Sequence, residues 1–293
     1  MEDLFNWSEF ENGVYYYYDE YDGEYSSNNT SLFLSLSNHC VDISMLSNFT
    51  KLETLTLFDG SINDLSPLKN LKQLKHIYLT DCSIKDISAL SDLKEISYLD
   101  LSNNDISDIS PLKNLTEIRT LKLSGNNISD ISVLNSMVNL QIIELDFNNI
   151  TTIPSLKNLN YTFSLDLSNN DISDVSALGE DKLPRLRDLD LSNNDISDIS
   201  PLKNIGSDCQ FGRNSLDLDL SNNNITDISP LINSIFLQNL RLNGNEIKNI
   251  TSLSGGNYYN RLYITLDTDF SDRAGVRELK NKNPNIIVSF NSR

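Results

Sequence analysis

Histidine, cysteine and basic residues are scarce in this 293-residue chain. The two histidines, His39 and His76, leave few groups suited to acid–base catalysis at neutral pH. The three cysteines, Cys40, Cys82 and Cys209, are widely spaced and form no Cys-x-x-Cys pair, which argues against both a disulfide framework and a zinc site. The sequence also lacks the motifs of serine hydrolases, phosphate-binding loops and zinc proteases. We therefore expect no catalysis, no metal, no cofactor and a reducing, cytoplasmic location.

The charge balance is strongly acidic, with 23 basic against 41 acidic side chains and a formal net charge of -18. Such a surface disfavours binding to nucleic acid and to anionic membranes. The first ten residues carry acids where a secretory signal needs basic residues. The chain contains no apolar run of about 18 residues, so we expect no membrane span.

An internal repeat dominates the sequence. The segment LDLSNNDISDISPLKN occurs twice, at Leu99 to Asn114 and at Leu189 to Asn204, and degenerate copies surround both. Written as a unit, the repeat is LxxLxLxxNxIxDIxPLxxL, and most copies are 22 residues long. Each copy is one supersecondary unit that must stack on its neighbours to bury its apolar side.

The LxL part of the repeat predicts one short strand per copy. Alternate side chains of a strand point to opposite faces, so Leu121 and Leu123 point inward while Thr120, Lys122 and Ser124 point outward. A recurring asparagine follows each strand, and we interpret it as a buried structural residue that bonds to backbone groups of stacked turns. These residues are Asn104, Asn126, Asn148, Asn170, Asn194, Asn223 and Asn245, with Gly60 and Cys82 in two other copies.

The second part of the repeat, IxDISPL, is too short for a long helix and often contains proline. It predicts a capped single turn, of the 3₁₀ type or irregular, on the opposite side of each coil. The repeat resembles two groups of the leucine-rich repeat superfamily, the bacterial internalin type and a eukaryotic intracellular type that includes a nuclear regulator of protein phosphatase 1. The resemblance covers about Leu32 to Leu266. It implies a right-handed, curved α/β solenoid with a parallel sheet on its concave face and short turns on its convex face.

We expect three parts: residues 1–31 as an acidic, tyrosine-rich flank, residues 32–262 as leucine-rich repeats, and residues 263–293 as a closing element. The flank is either an ordered aromatic cap or a partly disordered acidic arm. The closing element is predicted as a helix from Asp272 to Lys282, followed by a strand from Ile286 to Phe290. An insertion between Leu202 and Leu218 predicts a rim loop with Phe211 as a contact residue.

The outward positions of the strands are the candidate binding surface. Aromatic side chains cluster in the early copies and acids in the later ones, and aromatic residues are enriched where partners dock. Glu144, Asp166, Asp190 and Asp219 form a column of like charges whose neighbours repel, so we do not explain the column as a stabilising feature. Either duplication left it in place or a basic partner offsets the repulsion. The predicted contact residues are Phe58, His76, Tyr78, Tyr98, Asp100, Glu144, Asp146, Asp166, Asp188, Asp190, Asp217 and Asp219.

These observations predict a monomeric, non-catalytic module that binds a basic partner protein through its concave face. One alternative is a regulatory subunit for an intracellular phosphatase, as the resemblance to the eukaryotic group implies. A second is an internalin-like adhesion or virulence protein that is exported by an unrecognised route. A third is an assembly scaffold without a single dedicated partner. The same repeat scaffold serves unrelated partners, so the fold alone does not decide among them.

Overall fold

The computed structural model describes residues 30–36, 40–180, 183–205, 215–259 and 261–291. The chain divides into two compact units, Met1–Leu140 and Gln141–Arg293. The predictions for the acidic flank, nearly all of which is residues 1–29, and for Phe211 and Cys209 concern positions outside the described residues. Each unit is built from repeated coils, where a coil is one copy of the sequence repeat.

Within its described residues, the first unit contains five strands that pair in sequence order, each parallel to the next. A 3₁₀ helix follows each strand. The strands are β1 (Ser31–Ser35), β2 (Thr54–Phe58), β3 (His76–Thr80), β4 (Tyr98–Asp100) and β5 (Thr120–Lys122). The 3₁₀ helices are Ser44–Asn48, Ser66–Leu68, Ser88–Leu90, Ser110–Asn114 and Ser132–Ser136.

The second unit contains seven strands in its described residues, again paired in sequence order and parallel. These are β6 (Ile142–Glu144), β7 (Ser164–Asp166), β8 (Asp188–Asp190), β9 (Leu216–Asp219), β10 (Leu237–Arg241), β11 (Leu262–Asp267) and β12 (Ile286–Asn291). Its helical turns are α1 (Ser176–Glu180), three 3₁₀ helices (Ser200–Asn204, Ser229–Asn233, Thr251–Gly255) and α2 (Arg273–Lys282).

The repeat pattern accounts for the core. The two leucine-type residues of each strand region are buried, as Leu121 and Leu123 show, while the residue between them stays partly exposed. The isoleucines and leucines of the second half of each coil close the other side of the same core, for example Ile128, Ile131 and Leu134. The predicted alternation of strand residues and the predicted 3₁₀ turns are therefore confirmed. Two coils of the second unit differ: the turn of one, at Ser176–Glu180, is a short α-helix, and the coil that begins with β6 has no 3₁₀ helix before β7.

The recurring asparagines are buried, as predicted, and those at positions 104, 126, 170, 194, 223 and 245 join neighbouring coils. The side-chain amide of Asn126 donates to the carbonyl oxygen of Leu123 in its own coil and to that of Leu101 in the preceding coil, both at 3.0 Å. Its Oδ1 accepts a hydrogen bond from the backbone N–H of Ile106 at 3.0 Å. Both ends of the amide are therefore satisfied by backbone groups of its own coil and of the preceding one.

We call the recurring asparagines and their contacts with neighbouring coils the asparagine ladder. Its contacts do not depend on the length of chain between the coils. Asn223 donates to the carbonyl oxygen of Leu191 at 2.9 Å and accepts from the N–H of Ile196 at 3.0 Å. The longer connection between β8 and β9 includes residues 206–214, which lie outside the described residues. The ladder contacts on either side of that connection match those of the 22-residue copies in length.

An aspartate two residues before a serine organises the turn of most coils. In the sequence Asp-Ile-Ser, the carboxylate accepts a hydrogen bond from the serine N–H, as Asp108 does from Ser110 at 2.8 Å. The same contact fixes the turns at Asp64 and Asp198. The hydrogen bonds from Ser66 and Ser200 hold the pKa values of Asp64 and Asp198 below the ordinary value. Such a side-chain contact starts a short helical turn without a long helix behind it.

Cys82 occupies a ladder position and is fully buried. Its thiol lies 3.2 Å from the carbonyl oxygen of Thr80 and 3.5 Å from that of Leu57 in the preceding coil, so it makes a weaker version of the asparagine contact. Burial raises the pKa of the thiol to about 12. Cys82 is therefore a core residue, as the repeat predicted, and Cys40 also carries a free thiol.

The C-terminal helix and strand are present where the sequence predicted them. Asp272 caps α2 by accepting a hydrogen bond from the N–H of Gly275 at 2.7 Å. Val276 and Leu279 of α2 are buried, and β12 pairs with β11 along its whole length. The helix and strand thereby cover the last repeat of the second unit.

We predict that Asn126→Ala lowers the free energy of unfolding by about 1 to 3 kcal/mol, because it removes the side-chain oxygen that accepts from the buried N–H of Ile106. Urea unfolding measures the effect. The neighbouring Asn127 is exposed, so Asn127→Ala is a matched control that should change stability by less than about 0.5 kcal/mol. An unchanged midpoint for Asn126→Ala would contradict the structural role of the ladder.

We also predict that Cys82 does not react with thiol reagents in the folded protein, because thiolate is the reactive form and burial disfavours it. In a Cys209→Ser background, mass spectrometry at pH 8 should find the exposed Cys40 labelled and Cys82 unlabelled until denaturant is added. Labelling of both residues at similar rates in the native protein would show that Cys82 is accessible.

Candidate functional site

The outward side chains of the first unit's strands form an aromatic surface. We call it the aromatic strand face and define it by Phe33, Phe58, His76, Tyr78 and Tyr98. The rings of Phe33 and Phe58 have centroids 5.2 Å apart, and those of Tyr78 and Tyr98 are 4.7 Å apart. Four of the five residues were predicted contact residues, and the strand register brings them onto adjacent strands.

Sequence reasoning missed Phe33, whose side chain is 44% exposed. Its position between Leu32 and Leu34 follows the same alternation as the later copies, so the signal was present one copy earlier. Asp100 lies beside this group, opposite Tyr78 in the register. Its carboxylate accepts hydrogen bonds from both the N–H and the hydroxyl of Ser102.

The outward side chains of the second unit's first four strands, together with Asp146 just after β6, form an acidic surface. We call it the acidic strand face, which comprises Glu144, Asp146, Asp166, Asp188, Asp190, Asp217 and Asp219. The register places Glu144 opposite Asp166, Asp166 opposite Asp190, and Asp190 opposite Asp219. Asp188 lies opposite Asp217 on the next row. The structure therefore brings together the column of acids that the sequence predicted.

Three carboxyl groups of the acidic strand face have raised pKa values. Burial raises the pKa of Asp166 to about 6, against hydrogen bonds from Ser168 that lower it. Burial also raises the pKa values of Asp188 and Asp190, and the neighbouring carboxylates raise them further. Ionised carboxylates at these positions are consequently less stable than in water.

The structure corrects one part of the sequence interpretation, because the acids of the column do more than repel one another. Asp166, Asp190 and Asp219 each accept a hydrogen bond from the N–H of the serine two residues later, at 2.8 to 2.9 Å. The hydroxyl of Ser221 also donates to Asp219 at 2.6 Å. The column thus has a local stabilising role, which the repulsion argument overlooked.

The acidic strand face ends at β10, where one basic and one neutral side chain contact the acids of β9. Arg241 pairs with Asp219, with Nη1 and Oδ2 3.1 Å apart, while the arginine side chain stays 58% exposed. Asn239 donates to Oδ1 of Asp217 at 2.7 Å. These contacts engage β9, the last strand of the face.

Sequence reasoning also missed Phe147, which follows β6 and is 61% exposed. The available signal was its identity, since the copies at 100–104, 166–170, 190–194 and 219–223 have asparagine at that position.

Neither a metal nor a membrane-spanning site emerges from the described part of the chain. No group of three or more histidine, cysteine, aspartate or glutamate side chains there is arranged to hold a metal ion. None of the helices in the described residues has the length and apolar character needed to cross a membrane.

Comparison with known proteins identifies the repeat. A family model described as Leucine Rich repeats (2 copies) matches residues 72–114, 116–158 and 164–204. No curated protein matches the chain in sequence. Among solved structures, internalin F from Listeria monocytogenes is 28% identical, with a TM-score of 0.66 over 92% of this chain and 84% of that one. Internalin C2 from the same organism is 27% identical, with a TM-score of 0.51 over 75% and 83% of the two chains.

More distant structures share the fold alone. FLRT2, the leucine-rich repeat component of an octameric complex with Latrophilin 3 and Unc5D, is 19% identical, with a TM-score of 0.69 over 91% of this chain and 85% of that one. Parallel strands, short 3₁₀ turns and a buried asparagine in seven coils agree with these matches. The chain is a leucine-rich repeat protein whose repeats resemble those of the internalins.

Proposed function

We propose that this chain is a non-catalytic recognition module, and that its acidic strand face binds a partner protein with a basic surface. The leucine-rich repeat fold is typical of protein–protein interaction modules. In the complex named above, the leucine-rich repeats of FLRT2 belong to an assembly with other proteins. The proposal extends that general role to one surface and one kind of partner.

The observation that carries the proposal is the arrangement of six carboxylates on the outward positions of β6 to β9 and a seventh, Asp146, just after β6, with no basic residue among those positions. The hydrogen bonds from the serines do not require this charge. An asparagine would offer the same carbonyl oxygen to the serine N–H without repulsion or the cost of burying a charge. A cationic partner would offset that cost, and opposite charge steers association.

The aromatic strand face of the first unit supports the same function as a second contact surface. Tyr78, Tyr98 and Phe58 are partly exposed, and Phe33 more so. Aromatic side chains supply much of the binding energy at protein interfaces, because they bury large areas at low cost in conformational entropy.

A second candidate function is that of an internalin-like surface protein, which the identity of 28% to internalin F favours. It differs from the first in location and not in the mode of recognition. Fractionation of the native cell separates the two, since a cytoplasmic recognition module should be found with the cytoplasm and a surface protein with the envelope or medium.

We predict that replacing Asp166, Asp190 and Asp219 together with asparagine weakens binding to the partner about tenfold and flattens its dependence on salt. The partner is first captured from the native cell and purified, and its affinity is then measured at low and at physiological ionic strength. The fold should survive, because asparagine keeps the oxygen that the serine N–H needs.

The same coils offer a matched control. Asp174, Asp198 and Asp227 lie at the opposite corners of those coils, where their carboxylates accept from a serine N–H in the same way. Replacing these three with asparagine changes the net charge equally but should leave the affinity within about twofold. Equal loss in both variants would mean that net charge alone governs binding. No loss in either would place the contact away from the acidic strand face.

We predict that the protein becomes more stable as the pH falls from 7 to about 5. The folded chain holds the proton of Asp166 more tightly than the unfolded chain, because its pKa is raised from 3.8 to about 6. Stability from this group is therefore complete below its ordinary pKa and is lost as the pH rises through about 6.

Chemical denaturation at constant ionic strength should find a gain of about 1 kcal/mol, since water still reaches the carboxylate. Asp166→Asn should remove most of this dependence. Asp198→Asn should not, because the pKa of Asp198 is lowered and that group titrates below this range. An unchanged slope for Asp166→Asn would contradict the assignment.

A further inference from the structure

Phe147 combines an exposed ring with a backbone conformation that aromatic residues rarely adopt. Its φ is +53°, in the left-handed region, where a bulky side chain is disfavoured. The corresponding residue of the other copies also has a positive φ, and there it is aspartate, asparagine or glycine: Asp59, Asp81, Asn103, Gly125, Asn169, Asn193, Asn222 and Gly244. The turn therefore dictates the conformation, and Phe147 adopts it at an energetic cost.

The coil that begins with β6 departs from the repeat on its surface while its core is unchanged. Four copies carry Asp-Leu-Ser-Asn-Asn at this turn, but this copy has Glu144, Leu145, Asp146, Phe147 and Asn148. Leu145 and Asn148 are the buried members and match the repeat, whereas all three substituted residues are on the surface. Packing of the core does not explain changes that are confined to the surface, and the strained turn argues against a gain in stability.

The surroundings of Phe147 are negatively charged. Its N–H donates to the carbonyl oxygen of Ser168 at 3.2 Å, which places the turn beside the coil of β7. The adjacent Asp146 interacts electrostatically with Asp166, as does Asp190. Phe147 therefore presents an exposed ring next to Asp146, at the start of the acidic strand face.

We propose that Phe147 anchors the partner, and that the side chain it receives is an arginine. This inference rests on the proposed function, since it assigns a specific contact at the start of the acidic strand face. A planar guanidinium stacks on an aromatic ring while its N–H groups donate to nearby carboxylates. Lysine presents a compact charge that cannot satisfy both contacts in the same way. The geometry therefore favours arginine within a basic segment of the partner.

The test uses the full chain and two defined probes, fluorescent hexa-arginine and hexa-lysine peptides, with binding followed by fluorescence anisotropy at low salt. We expect the wild-type protein to bind hexa-arginine more tightly than hexa-lysine. Phe147→Asn, which restores the residue of the repeat, should weaken hexa-arginine binding about threefold and bring the two peptides to similar affinity. Phe147→Tyr keeps an aromatic ring and should retain the preference for arginine.

Thermal unfolding of the same variants controls for folding. Phe147→Asn should melt at the same temperature as the wild type or higher, because asparagine tolerates the left-handed conformation. Loss of binding without loss of stability is the signature of a contact residue. A lower melting temperature would contradict the strain assigned to this turn and overturn the proposal.

The remaining outcomes separate this inference from the proposed function. If Phe147→Asn binds both peptides like the wild type while the Asp166, Asp190 and Asp219 triple variant binds them weakly, Phe147 is not the anchor but the acidic strand face still binds cations. If Phe147→Asn weakens both peptides equally, the ring contributes without selecting arginine, and that assignment is wrong. If the triple variant also binds like the wild type, both proposals fail.

Discussion

A buried side-chain amide between successive coils is the interaction on which each unit depends. The strands are only three to six residues long, and no coil has enough apolar surface to fold alone. Stacking supplies the core, but it also buries turn backbone groups that the strands leave without partners. The asparagine supplies both a donor and an acceptor at that depth, so one residue type satisfies backbone groups of two adjacent coils. Gly60 and Cys82 show that the position tolerates other residues in two consecutive copies, and Asn104 of the next copy still bonds to the coil of Cys82.

The same local device, aspartate two residues before serine, forms both corners of many coils. At the turn it gives exposed carboxylates such as Asp198, whose pKa is lowered by the hydrogen bonds it accepts. On the strand face it gives Asp166, where the same hydrogen bonds are outweighed by burial and the pKa is raised. The same Asp-x-Ser spacing therefore gives pKa shifts of opposite sign, and the burial of the carboxyl group decides which. The strongly acidic composition follows in part from this repeated device and in part from the face itself.

Much of the fold was predictable because its information is local and repeated. The alternation around Leu121 and Leu123, the asparagine that follows, and the proline-containing turn each imply one element, and the repeat multiplies the evidence. The outward positions of Tyr78 and Asp166, and of the residues beside them, were predictable from the same alternation. The raised pKa of Asp166 was not predictable, since it depends on how neighbouring coils exclude water. The strain at Phe147 was not predictable either, because the turn imposes the positive φ and the identity of the phenylalanine does not indicate it. The serine contacts of Asp190 and Asp219 could have been read from the sequence, had the Asp-x-Ser spacing been compared at the two corners.

The indifference of the ladder to chain length has a consequence for how such a protein changes. Asn223 reaches Leu191 across 32 residues with the same geometry that Asn245 uses to reach Leu220 across 25. The entropy of closing a loop grows only slowly with its length, so a connection between coils can gain residues at little thermodynamic expense. Insertions at such a connection are therefore a route by which new loops, or even whole domains, enter the chain without rewriting the coils on either side. The coils of the repeat region then stay constant, and evolutionary change concentrates in the connections whose length the ladder contacts do not restrict.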